Sequence, residues 1–432
     1  MQARLTALRK PTSGVRGIAT GTSLRRLVAR TLARQFGPEV EAACAPYQFA
    51  LSTQAGTDCV GHVVRFLTDA RATATLLSID GVGAYDYVSR AAMLGKLRQL
   101  PRASAMLPFV RLSYGQASQY AWLDDEGQQH WVTQGEGGEQ GDPLMPMLFS
   151  LGVHDALARV QAQLRDGEYL FAYLDDVYAV TEPERTRPVY DLLAEALSDV
   201  AGIRLNEGKT RTWNRGGTPP PSMESLGEDV WSPAGVKVLG TPVGTDAFVE
   251  QLVAERLADE QRLWDAIPEV PDLQCAWQLL LQCAGPRANH LLRTLLPSQS
   301  ASYACRHDEG MWRVLNRLLG DLPGSTEALG AARELATLPM RLGGLGLRSA
   351  ERTAPAAYWA SWADALAMLE GRVPAVAEAA TAALSTTSRD APAHGAVAEA
   401  RAAATLLSRE LLAAARLGRP AEGTAAATTT YS

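Results

Sequence analysis

The stretch Phe171-Ala172-Tyr173-Leu174-Asp175-Asp176-Val177-Tyr178-Ala179-Val180 decides how this chain is read. Apolar, β-prone residues stand on both sides of two adjacent carboxylates. That pattern predicts two strands joined by a tight hairpin, with the Asp pair at the turn. Neighbouring carboxylates repel each other and gain nothing from burial, so they must face water or a cation. A solvated Asp-Asp turn meets the first condition and a metal site the second. The apolar flanks bury the strands, which makes the metal site worth pursuing if the chain also supplies a third carboxylate and a pocket.

A candidate third carboxylate is Asp80. It ends the β-prone run 75–79 and opens Asp80-Gly81-Val82-Gly83-Ala84-Tyr85-Asp86-Tyr87-Val88. A lone Asp in that place is usually a cap. Asp80 gains weight from the Asp pair and from a glycine-rich loop over 135–141 that leads to Pro143. Pro143 suits the first turn of a helix running towards Leu164. Hard divalent cations need several carboxylate oxygens at one point, and Mg²⁺ leaves positions for water and phosphate.

Outward from these segments, helical spacing is expected over 24–36, 57–71, 89–100 and 188–200. The arginines of the first helix, Arg25, Arg26, Arg30 and Arg34, make either a solvated face or a phosphate-facing rim. Residues 1–23 read as irregular or strand structure. Strands are expected at 120–122, 130–133, 209–213 and 236–239, with a flexible Pro-rich insertion at 215–225. Beyond Phe248 the pattern is helical throughout, ending in an Ala/Thr-rich, disordered segment at 424–432. The fold class is therefore α+β: a mixed catalytic body followed by an all-α region.

The 432 residues have room for about two or three domains. A hydrophobic content of 47% supports a large core. The net charge of −6 does not advertise nucleic-acid binding. Charge is uneven, however, because no acidic residue precedes Glu39 while Arg4, Arg9, Lys10 and Arg16 do. Five cysteines in no zinc-site spacing are expected to be reduced, with no disulfide partners, in an intracellular protein. No apolar run is long enough for a membrane span, so no membrane partner is expected. An acid-free, Arg-rich start can also mimic a transit peptide.

The three acidic and glycine segments, taken in order, resemble the palm motifs of the reverse transcriptase domain (RNA-directed DNA polymerase) of non-LTR retrotransposons and mobile introns. Asp80 to Val88 resembles the first. Glu139-Gln140-Gly141-Asp142-Pro143-Leu144-Met145-Pro146-Met147-Leu148-Phe149 resembles the second, and Tyr173-Leu174-Asp175-Asp176 the third. Arg16-Gly17-Ile18 resembles the fingers motif, Asn206 to Thr210 the fourth palm motif, and Val238-Leu239-Gly240-Thr241 the primer-grip hairpin. The likeness covers roughly residues 10–245. Glu139 and Met145 depart from the second motif, where Pro and Ser are commoner, and Gly17 replaces a proline.

The resemblance implies a right-hand polymerase: fingers, a palm with an antiparallel sheet, and a helical thumb. On it, residues 1–72 are partial fingers and 73–245 the palm, with a fingers-like insertion at 101–135. Residues 246–345 are then thumb-like and 346–432 a helical, Ala-rich end. It implies that Asp80, Asp175 and Asp176, with the carbonyl of Ile79, bind two Mg²⁺, or Mn²⁺ in their place. Tyr85 sits under the sugar and excludes a 2′-hydroxyl, while Lys10, Arg16, Gln140 and Gly141 contact the nucleotide. Lys209 donates a proton to pyrophosphate or acts only as a charge. Leu239 and Gly240 position the primer end. The implied partners are an RNA or DNA template-primer and dNTPs, and the implied compartment, by family alone, is the nucleus. The basic start then belongs to the fingers rather than to a transit peptide. Two other readings stay open: a degenerate or domesticated element protein that binds nucleic acid without catalysis, and, less favoured, an RNA-dependent RNA polymerase. With no endonuclease and no Cys/His knuckle in the chain, a fragment or a repurposed domain is expected.

Overall fold

Two strands open the chain, β1 (Gln2–Arg9) and β2 (Val15–Thr20), paired antiparallel. They come from a computed structural model that describes residues 2–9, 15–51, 54–385 and 395–416. Thr22 then caps α1 (Ser23–Cys44), accepting a hydrogen bond from the backbone N–H of Arg25. α2 (Gly56–Ala70), β3 (Thr75–Ile79), α3 (Ala84–Tyr87), α4 (Arg90–Arg98) and α5 (Leu107–Tyr114) follow. The hairpin β4 (Ser118–Leu123) and β5 (Gln129–Gln134) joins the opening strands in a sheet of order β2-β1-β4-β5, with β1 and β4 parallel.

A second sheet carries the acidic residues. Its members are β6 (Tyr169–Tyr173), β7 (Asp176–Thr181), β3 and β8 (Arg211–Trp213), in the order β6-β7-β3-β8 and antiparallel throughout. The central strands β3 and β7 are almost wholly buried, which is why they read as unbroken apolar runs rather than alternating ones. The cover includes α6 (Met145–Gln161) and α7 (Pro183–Ala201). Seven consecutive residues of α6, Met147 to Val153, are buried, as is Met145, so this helix is apolar all round rather than amphipathic. A Cβ on Gly152 would lie 2.9 Å from Met93 and Val88 side-chain atoms, so glycine lets α4 approach α6 closely.

The chain divides into two compact units. The sheets just described lie in the first, made of Met1–Val60, Ala70–Val236 and Gly371–Val373. The second takes residues Gly61–Asp69 of α2 and resumes at Lys237, within the hairpin of β9 (Gly235–Val238) and β10 (Thr241–Gly244). Otherwise it is helical from α8 (Asp246–Ala266) onward. One of its cores gathers Trp264, Tyr303, Met311 and Leu315. Beside that core Glu260 accepts from Tyr303 Oη at 2.7 Å and from Arg256 Nε at 3.2 Å, so its buried charge is paired. The α+β class with an all-helical end is what the structure shows. No helix among the described residues is long and apolar enough to cross a membrane, and no disulfide joins described cysteines.

Several local expectations need correcting. Pro143 precedes its helix, because Asp142 Oδ1 accepts the Leu144 N–H and Pro146 takes the first turn of α6. Pro188 lies inside α7, whose first turn is set by Pro183. Lys209 is on a single 3₁₀ turn, Glu207–Lys209, rather than in the strand. Residues 215–225 are tied down: Asn214 donates to Thr218 O at 2.7 Å, and Met223 is buried in the main core. Residues 424–432 lie outside the described residues.

Candidate active site

Tyr173 pairs with Asp176 across β6 and β7, so Leu174 and Asp175 form the two-residue turn and Asp176 begins β7. Leu174 has φ +55°, a left-handed conformation that costs a non-glycine residue about 1–2 kcal/mol. Its N–H donates to Gln48 Oε1 at 2.7 Å, and Gln48 is itself buried. The segment carrying Gln48 is stitched to β6: the Phe49 N–H donates to Ala172 O and the Ala172 N–H to Tyr47 O, both at 2.8 Å. Gln48 thereby satisfies a turn that strain would otherwise loosen.

Asp80 directly follows β3. Ile79 pairs with Val177, and one more step of that register sets Asp80 opposite Asp176. The Asn206 N–H donates to the Asp80 carbonyl at 2.8 Å, bringing the turn that bears Lys209 alongside. Lys209 Nζ then reaches Asp80 Oδ2 at 2.5 Å.

Burial raises both members of the Asp pair. The Asp175 carboxyl is pushed up by burial and by the charge of Asp80, against the pull of Arg16 and Lys209. The Asp176 carboxyl is pushed up to about 6 by burial, then by Asp175 and Asp80. A pair whose proton affinity is raised by burial and by neighbouring carboxylates lacks positive charge, and Lys209 supplies only one partner. Among the described residues no group of three or more His, Cys, Asp or Glu side chains is gathered tightly enough to hold an ion as it stands. The donor set fits a hard divalent cation: oxygen-only, mutually repelling, half-buried, with one carboxylate already on a cation. Ile79 is buried at the end of β3 beside them.

Tyr85 lies flat on Phe149, with ring centroids 4.6 Å apart and planes 3° from parallel. Its hydroxyl is pushed up by burial and by the Asp175 charge, so the ring lies within the field of that carboxylate. Arg16 on β2 is exposed and acts electrostatically on Asp175. Gly141 packs on the same strand, since a Cβ there would lie 2.6 Å from the Ala19 carbonyl oxygen. Gln140 beside it is exposed. Thus Asp80, Asp175, Asp176, Lys209, Tyr85, Arg16, Gln140 and Gly141 share the first unit, whereas Leu239 and Gly240 form a hairpin turn in the second. Lys10 lies outside the described residues.

Sequence reasoning missed Gln48, for which no local signal exists. It also missed the buried partners of the glycine loop, of which Glu139 alone stood out by departing from the expected pattern.

Residues 8–243, more than half of the chain, match the family described as reverse transcriptase (RNA-dependent DNA polymerase). This chain belongs to that family. The family is one of nucleotidyltransferases that act on a nucleic-acid template and use divalent metal ions. Among curated proteins, this reverse transcriptase domain is 27% identical over 360 residues to the retrotransposable element SLACS 132 kDa protein of Trypanosoma brucei gambiense. The match covers 82% of this chain and 29% of that protein, so the chain spans under a third of its relative. Similar solved structures include apo telomerase from Candida tropicalis, with TM-score 0.43 and 10% identity over 87% of this chain and 68% of that one. Another is telomerase from Candida albicans in complex with a telomeric RNA fragment, with TM-score 0.39 and 13% identity over 78% of this chain and 64% of that one.

Proposed function

We propose that this domain copies a nucleic-acid template, RNA in the first instance, into DNA by adding deoxynucleotides to a primer 3′ end. The observation that carries the reading is the register that brings Asp80 beside the Asp175-Asp176 turn, within the region matched to the family. In the reaction a primer 3′-oxygen bonds to the α-phosphorus of a dNTP and the bond to pyrophosphate breaks. Asp80, Asp175 and Asp176 would hold two divalent ions, Mg²⁺ or Mn²⁺, with the Ile79 carbonyl as a further oxygen. The chemistry such ions supply when bound is activation of the 3′-hydroxyl and neutralisation of the leaving pyrophosphate.

The remaining work falls to other side chains. Exposed Arg16 pairs with triphosphate oxygens, where a guanidinium fork suits phosphate. The Tyr85 ring, braced by Phe149, blocks a 2′-hydroxyl. Gln140 and Gly141 lie against the nucleotide, glycine allowing the backbone a close approach. Lys209 moves a proton to pyrophosphate from Nζ. Leu239 and Gly240 hold the primer end. On this reading residues 1–72 serve as partial fingers, 73–245 as palm with its insertion at 101–135, 246–345 as thumb, and 346–432 as a helical appendage.

Primer extension on an RNA template tests the proposal. Purified protein should incorporate dNTPs in the presence of Mg²⁺, and Asp175→Asn should not. Equal incorporation by the two would sink it.

A further inference from the structure

The loop that carries Gln140 and Gly141 is braced at both ends by buried arginines. At one end Arg25, 8% exposed, donates from Nη1 to both oxygens of Glu139 at 2.7 and 2.8 Å, and from Nη2 to Asp142 Oδ2 at 2.9 Å. At the other end Arg90, 5% exposed, donates from Nε to the Gly137 carbonyl at 2.8 Å, while its backbone N–H donates to Glu136 Oε2 at 2.7 Å. Its remaining donors go to Gln116 O at 2.6 Å and Ser118 Oγ at 3.0 Å.

Tyr114 lies between the two guanidinium groups, whose carbons stand 5.7 Å (Arg25) and 5.4 Å (Arg90) from its ring centroid. Its hydroxyl donates to Asp142 Oδ2 at 2.7 Å. The loop also docks on the backbone of the sugar-gate segment. The Gly138 N–H donates to the Tyr85 carbonyl at 2.8 Å and the Gly137 N–H to the Val88 carbonyl at 2.9 Å. Gly137 holds φ +67°, and a Cβ there would lie 2.5 Å from the Tyr85 carbonyl oxygen. Glu139 and Asp142 are buried, while Gln140 between them is exposed.

Buried charges are tolerated only when their partners are in place, so a network of this kind admits few arrangements of the loop that bears it. We propose that Arg25, Tyr114 and Arg90 form a positioning clamp. It sets the Gln140-Gly141 loop at a defined height against Tyr85, and through that height governs dNTP affinity and the choice of deoxyribose over ribose. None of the three is a catalytic residue. The inference rests on the polymerase reading above and adds to it the determinant of nucleotide selection.

The test is steady-state primer extension by the full chain, with dNTP and rNTP titrations for Tyr114→Phe, Arg25→Lys and the double variant. Tyr114→Phe keeps the ring between the arginines and removes only the hydroxyl. The expected result for each single variant is a KM for dNTP raised about tenfold, kcat within about threefold of wild type, and discrimination against rNTP reduced about tenfold. Because the Tyr114 hydroxyl acts on Asp142 Oδ2, which Arg25 holds as well, the double variant should be less than about twofold worse than Arg25→Lys alone. A lowered melting temperature with wild-type KM and discrimination would make the network merely structural and overturn the proposal. Should Arg25→Lys not fold, Tyr114→Phe decides alone. If wild type extends primers normally while Tyr114→Phe has wild-type KM, the clamp fails and the polymerase reading stands. If wild type incorporates nothing, both fall together.

Discussion

Lys209 sits on the carboxylate of Asp80, Nζ to Oδ2 at 2.5 Å. The lysine side chain is 64% exposed, and such a pair contributes only about 0–1 kcal/mol to stability. Its importance lies in place, because an exposed ammonium sits on a carboxylate that a divalent ion would claim. Lys209→Ala is expected to lower kcat about tenfold or more while leaving the melting temperature nearly unchanged. Single-turnover extension beside a thermal melt reads both quantities, and an unaltered kcat would remove Lys209 from the reaction.

The Asp pair makes stability depend on pH. Both carboxyls lie above their ordinary range in the folded chain, so the folded state holds these protons more tightly than the unfolded one. Ionising them costs stability. That cost is absent below the unfolded value and complete above the folded one, so for Asp176 stability falls as pH climbs from 3.8 to about 6. In divalent-free buffer, Asp176→Asn should flatten this slope and raise the melting temperature at pH 7.5 by about 2 °C. A slope identical to wild type would refute the assignment.

Divalent ions should relieve the same repulsion. Mg²⁺ added at pH 7.5 is expected to raise the wild-type melting temperature by about 2 °C when present well above its dissociation constant. Asp80→Asn and Asp175→Asn should each lose most of that shift. A chelator should return the wild type to its starting point, and a shift that survives both substitutions would place the ion elsewhere.

Gln48 supports the turn from outside it. Gln48→Ala leaves the Leu174 N–H without its buried partner, which costs about 1–3 kcal/mol. The variant should unfold at lower denaturant and also lose kcat, because Asp175 shares the turn. Loss of stability alone, with kcat intact, would show that the turn keeps its shape unaided.

Tyr85 carries a prediction about substrate choice. Tyr85→Ala opens the space beside Phe149 and should raise ribonucleotide use relative to deoxynucleotide use by at least about tenfold. Competition between dATP and ATP on one template reads the ratio directly.

Much of the carboxylate site was legible because its parts are local. The apolar run before Asp80 forms a strand with the expected bounds, Thr75–Ile79, since a doubly covered strand leaves a continuous apolar signature. The Asp175-Asp176 hairpin was legible for the same reason. Lys209 was misjudged as strand because its 3₁₀ turn is made by hydrogen bonds to Asn206 and Glu207 carbonyls, which leave no periodicity. The clamp was invisible for another reason. Arg25 and Glu139 are 114 residues apart, and the pattern around Arg25 reads equally well as one basic face of a solvated helix. Pairing over such separations is set by how the sheets stack, which periodicity does not encode.

The antiparallel register of β3 with β7 has a consequence for how this domain tolerates change in length. Asp80 and Asp176 meet only because Thr75 faces Thr181 and Ile79 faces Val177. An insertion of one residue within either strand would turn the carboxylate to the opposite side of the sheet. The turn at the tip of the β4–β5 hairpin, between Leu123 and Gln129, is under no such constraint. Lineages of this domain should therefore accumulate indels at the exposed tip of the β4–β5 hairpin and almost none within Thr75–Ile79 or Asp176–Thr181.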